Sequence, residues 1–186
     1  MHELIGVMKQ EHQLIENALN RLKTDSSLEL LQWCFDAIEN EHHFKEEECL
    51  FSKLLGKKQL AEGGPFCVLY FDNYMMNQPK EILQQAKLGW HVSELQKHFI
   101  GTNSPLEIPV SEHVATHELC RHLINNYTPE EATWQRIKFR YLEIQQMHVQ
   151  KENNCLFYIA EKILSDQEKD DALAMWKEKS KLLKSW

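Results

Sequence analysis

Helix breakers are scarce in this chain. Six glycines and five prolines serve 186 residues, which argues against a fold of strands and tight turns and for long helices. No apolar run approaches membrane-spanning length. Lys and Arg (21) are outnumbered by Asp and Glu (28), for a net charge of −7 at pH 7. That shortage of positive charge argues against a nucleic-acid groove and against an anionic membrane surface, both of which use clustered basic side chains. The opening MHELIGVMKQEH is charged and amphipathic, without the continuous apolar core of a secretory leader. The cysteines, at 34, 49, 67, 120 and 155, are odd in number and form no CxxC pair. Reduced thiols and a cytoplasmic location are therefore expected.

Histidine is what the chain has in quantity: ten residues. Helical periodicity shows where they fall. Ile5, Met8, His12, Ile15, Leu19 and Leu22 recur at steps of three and four, predicting a helix from about 2 to 23. Leu28, Leu31, Phe35, Ile38, His42, Glu46 and Cys49 predict a second, to about residue 55. Pro65 after the AEGG break opens a further helix, and Leu88, Val92, Leu95 and Phe99 suggest a short one inside an excursion over about 65–108. The next stripe is Val110, His113, His117, Cys120 and Ile124, in a helix starting between Pro109 and Ser111. Thr128, Pro129 and Glu131 read as a capping box for the long helix that carries Ile137, Tyr141, Ile144, His148, Glu152, Cys155, Ile159 and Ile163. SDQE at 165–168 repeats that logic before a last helix to about 184. The expected fold is all-α: an antiparallel up-down four-helix bundle over 1–165, with the 65–108 insertion and a C-terminal helical extension over 166–186.

Each of the four main stripes holds histidine where only apolar side chains are cheap to bury. Residues four apart share a helix face, so His42/Glu46, His113/His117 and His148/Glu152 each aim two ligand atoms at one point, and His12 adds another. Five imidazoles and two carboxylates are too many for one tetrahedral zinc. They suit two metals sharing bridging carboxylates, with the nitrogen-rich surroundings typical of iron. HHFKEEECLF (42–51) also aligns with HVQKENNCLF (148–157), matching His42 to His148, Lys45 to Lys151, Glu46 to Glu152, and CLF to CLF. His43/Glu47 has the same spacing as His42/Glu46 but falls with Asp36, Glu39 and Asn40 on the wet side of its helix. It stays the alternative ligand pair. His2, His91, His98 and His122 lie off the stripes and read as surface.

His12 in KQEHQLIENAL, together with HHFKEEECLF, SEHVATHEL and HVQKENNCLFYIAE, resembles the hemerythrin-like, HHE cation-binding family over about residues 1–165. The resemblance implies a four-helix bundle holding a non-haem di-iron centre, oxo- or hydroxo-bridged, with His12, His42, Glu46, His113, His117, His148 and Glu152 as ligands. Glu46 and Glu152 would bridge. The pattern departs from the family after EGGP, where Asn73 stands at the matching position. Either 65–108 is an insertion, or Asn73 has replaced a ligand; the stripe holding His113 and His117 favours the insertion.

The function implied is binding of dioxygen or a related small ligand, for sensing, storage or delivery. Its rivals are a di-iron enzyme or iron donor acting on peroxide, nitric oxide or damaged iron centres, and an interaction module. The excursion and the last helix, with Trp176 and Trp186, read first as extra packing and second as a homodimer contact.

Overall fold

A computed structural model describes residues 1–58, 60, 78–102 and 104–183. The helix expected from Pro65, along with Asn73 and Trp186, lies outside the described residues. Among those residues the secondary structure is entirely helical, with no strand. Among the described residues no helix is long and apolar enough to cross a membrane.

Helix α1 spans Glu3–Leu22, started by the His2 side chain, which accepts from the Leu4 N–H. Helix α2 runs continuously over 28–54, but not with one geometry. Leu28–Cys34 is α-helical, Phe35–His42 is π-helical, His43–Lys45 returns to α, Glu46–Phe51 is again π, and Ser52–Leu54 closes it. Just beyond, Gly56 takes a positive φ of 79°, the left-handed conformation that glycine adopts without a Cβ clash.

Helix α3 is Pro79–Gln85. The short helix expected around Leu88–Phe99 is instead a single 3₁₀ turn, Gln96–His98. Helix α4, Glu107–Asn125, begins two residues before its expected start. Pro109 fits inside because amide groups in a first turn have no helical partner to lose. Helix α5 runs over 132–163, with Glu152–Leu156 as a π stretch between Ala132–Lys151 and Phe157–Ile163. The capping box expected at Thr128 does not form. Glu131 is the N-cap, without a side-chain bond, because the TPEE segment folds as a turn in which the Glu131 N–H bonds the Thr128 carbonyl. Helix α6, Asp166–Lys179, does carry its expected box: Ser165 accepts from the Glu168 N–H, and the Glu168 carboxylate accepts from the Ser165 N–H.

The helices α1, α2, α4 and α5 pack in a ring, α1 on α2, α2 on α4, α4 on α5 and α5 on α1, while α6 lies on α1 and on the second π stretch of α2. Two apolar cores fill the ring. One gathers Met8, Phe51, Val110, Phe157 and Trp176; the other gathers Ile15, Ile38, Leu119, Tyr141 and Ile144. Every ring helix passes from one core to the other, and the direction of passage alternates along the chain. The cysteine expectation fails at one position: Cys155 is disulfide-bonded, whereas Cys34, Cys49 and Cys120 are free and buried. Spacing alone carries no information on pairing.

The two caps make a paired prediction. Ser165→Ala should lower stability by about 1 kcal/mol, read from urea midpoints, while Thr128→Ala should leave the midpoint unchanged.

Candidate metal centre

Between the two apolar cores lies a polar layer. His12 separates Met8 from Ile15 on α1; His42 to Glu47 separate Ile38 from Cys49 on α2; His113 separates Val110 from Ala115 on α4; His148 and Glu152 separate Ile144 from Leu156 on α5. These side chains form two buried groups that could hold a metal ion. One is His43, Glu46, His113 and His148, and the other is His12, His42, Glu46 and Glu152; within each, the candidate ligand atoms lie within 4.8 Å of one another. Glu46 belongs to both.

All five imidazoles turn Nδ1 outward to a polar partner. His12 Nδ1 donates to Asn153 Oδ1 (2.9 Å), His42 Nδ1 to Glu11 Oε2 (2.9 Å), His113 Nδ1 to Glu47 Oε1 (2.8 Å) and His148 Nδ1 to Glu112 Oε2 (3.1 Å). His43 Nδ1 lies 3.2 Å from Glu39 Oε2. An acceptor at Nδ1 fixes the proton there and leaves the Nε2 lone pair for a cation. The inward atoms are correspondingly short of partners: His12, His42 and His43 Nε2 and all four oxygens of Glu46 and Glu152 make no hydrogen bond. His113 and His148 bring their Nε2 atoms within 3.1 Å of each other. With both protons held at Nδ1, two facing lone pairs at that distance require a proton or a cation between them. This donor set fits a metal.

Two of the outer carboxylates carry a lysine each. Lys45 Nζ donates to Glu11 at 2.8 and 2.9 Å, and Lys151 Nζ donates to Glu112. The HxxKE repeat is therefore a repeat of arrangement: the lysine donates to the carboxylate that orients the histidine three residues before it. Its two copies also share backbone geometry, because a π stretch starts at Glu46 and again at Glu152. The EH dipeptides at Glu11–His12 and Glu112–His113, with a third at Glu41–His42, are the sequence signal that could have revealed these outer groups.

The structure brings together six of the seven expected residues: His12, His42, Glu46, His113, His148 and Glu152. His117 is not among them. Its side chain is 39 % exposed and its ring lies against Phe35. His43, expected on the wet side of α2, takes a place in the group instead; it is 3 % exposed, as is Glu47. The π stretches explain this difference. A helix closed by i→i+5 bonds needs more residues per turn, so position 43 comes round late and shares the core side with 42. Constant α-helical phase puts it outside.

The inward carboxylates control the protons. Burial disfavours a charged His12 ring, but its contacts with Glu152 and Glu46 outweigh that and raise its pKa to about 9. Burial is opposed in the same way at His148, where Glu152 and Glu46 raise the pKa to about 10. His43 moves the other way, to about 3, through burial and the neighbouring His113.

No protein-family model matches the chain, and neither a curated protein nor a solved structure matches it.

Two measurements test this arrangement. Metal content per chain after anaerobic purification should fall for His43→Ala and stay at the wild-type level for His117→Ala; the opposite pattern would restore His117 as a ligand. A cation must also displace the protons of His12 and His148, so cobalt(II) binding at pH 7 should release protons to an indicator dye. Apparent affinity should rise as pH increases towards 9. In the metal-free protein the linkage runs oppositely. The stability these two raised pKa values contribute is complete below about pH 6.5 and disappears as pH rises through 9 to 10.

Proposed function

We propose that this protein is a hemerythrin-like non-haem di-iron protein that binds dioxygen or a related small ligand, built on an up-down four-helix bundle. The alternating passage of α1, α2, α4 and α5 between two cores supports the bundle. The observation that carries the function is Glu46: one carboxylate, fully buried, common to both candidate groups. A carboxylate so placed suits a bridge between two ions. Five imidazoles against two carboxylates give the nitrogen-rich surroundings that iron accepts.

The protein's own part is positioning. Glu11, Glu47, Glu112 and Asn153 hold four of the rings by Nδ1, which also strengthens Nε2 as a ligand, and Glu39 lies 3.2 Å from Nδ1 of the fifth, His43. Phe157 stacks on His12 with centroids 5.0 Å apart, Phe51 stacks on His113 at 5.8 Å, and Trp176 meets His42 edge-on at 5.6 Å. The apolar cores above and below keep bulk water from the layer. A pair of ferrous ions held there would supply the electrons and coordination positions that dioxygen binding requires. Each group also offers four ligand residues, the number zinc takes, so a pair of structural zinc ions is the second reading.

Anaerobically purified protein should contain about two iron ions per chain. After reduction, admission of air should produce a visible absorption band that disappears when dioxygen is removed. A colourless, zinc-loaded protein would decide for the second reading.

A further inference from the structure

Among the described residues, three cavities border the polar layer, and their walls differ in charge. One, beside Glu112, includes Lys23. A second, beside Glu41, includes Lys45, Lys179 and Lys181. The third, of about 390 Å³, is the one among them that reaches the imidazoles of the centre, His43 and His113, and among the described residues neither Lys nor Arg lines it. Its walls instead carry the carboxylates of Glu39, Glu47 and Glu118 and, towards solvent, the rings of His91 and His117.

Two exposed imidazoles stand at the mouth, and the carboxylates behind them are buried. His91 is 68 % exposed and lies 3.3 Å from Glu118 Oε1. His117 is 39 % exposed, with Nδ1 3.7 Å from the same oxygen. The other Glu118 oxygen pairs with Arg121, so Oε1 is the one left to the two imidazoles. Glu47, as buried as Glu118, accepts from Gln96 Nε2 at 2.9 Å and from His113 Nδ1. His43, equally buried, belongs to the ligand group, and its Nε2 makes no hydrogen bond. Oxygen and imidazole nitrogen donors thus follow one another from the surface to a ligand atom. An anion entering here meets three carboxylates, of which Glu118 alone is paired with an arginine, whereas a divalent cation exchanges its waters for protein donors stepwise.

We propose that this cavity is the route by which a divalent cation reaches the centre, with Glu118, His91 and His117 receiving it at the mouth. The proposal rests on the metal-centre reading above, and it gives His117 a role: a donor on the path rather than a ligand at its end.

The test is the loading rate of metal-free protein with cobalt(II), followed by stopped-flow visible absorption. The double variant His117→Gln/Glu118→Gln should load about tenfold more slowly and reach the wild-type final absorbance, because neither residue is in the ligand groups. Raising the salt concentration should slow the wild type and have little effect on the double variant. Asn40→Lys, at an exposed helical position on the cavity rim, should also slow loading and keeps the test intact if the double variant folds poorly. Lys179→Gln, in the lysine-walled cavity, should leave the rate unchanged. Wild-type rates in both rim variants, at full final absorbance, would overturn the route and leave the centre standing. Failure of the wild type to take up cobalt would overturn the centre and the route with it.

Discussion

Compensating the buried charge of Glu46 is the constraint on which the rest of this structure depends. Both of its oxygens are buried without a hydrogen bond, and the nearest groups are the Nε2 atoms of His12, His42, His113 and His148, at 3.1 to 3.9 Å. Stranding one ion of a buried pair costs about 3–5 kcal/mol, so the imidazoles are held in place by the carboxylate as much as the reverse. That mutual demand explains why four helices place their polar residues at one level and give their remaining length to apolar packing. It also makes the layer specific: sliding a helix by one residue would carry its ligand atoms away from Glu46 and push an apolar side chain into the layer.

A second tier of charge surrounds the first, and it is arranged in duplicate. Glu11 orients His42 and accepts from Lys45; Glu112 orients His148 and accepts from Lys151. In each copy the orienting glutamate comes from one helix and the histidine–lysine pair from another, so the unit locks two helices together. The π stretches at Glu46 and Glu152 belong to the same duplication. Extra residues per turn are tolerated where inward side chains gain by crowding to one side, which is where i→i+5 geometry usually appears.

The duplication is broken by α6. Trp176 donates through Nε1 to Glu11 Oε1 at 2.9 Å, and Lys45 lies 4.7 Å from the Trp176 ring centroid. Ser180 accepts from Lys45, and the backbone amides of Lys181 and Leu182 donate to Glu41. The Glu11 half is therefore packed against the C-terminal helix and the residues after it, a cover that no contact in the Glu112 half repeats among the described residues. What reads in sequence as an extension contributes to holding His42.

Periodicity alone, together with the poverty in glycine and proline, determined that this chain is helical, where α1, α2, α4 and α5 lie, and that they bury histidine and glutamate. Apolar stripes at steps of three and four are local, and so are capping patterns such as Ser165–Glu168. Tertiary structure decided the membership of the site. His42 and His43 are neighbours with the same chemistry, and whether one or both face inward depends on helical winding, which responds to what lies across the layer. His117 repeats the spacing of its neighbour His113, yet it is turned towards Phe35 and a cavity mouth. Glu11, Glu39 and Glu112 do not stand out in a chain rich in glutamate, and Glu47 enters only through the alternative ligand pair. Only the approach of an imidazole or a lysine from a helix distant in sequence makes burying them affordable, because the free energy of a buried carboxylate is set by its partners in space, not by its neighbours along the chain.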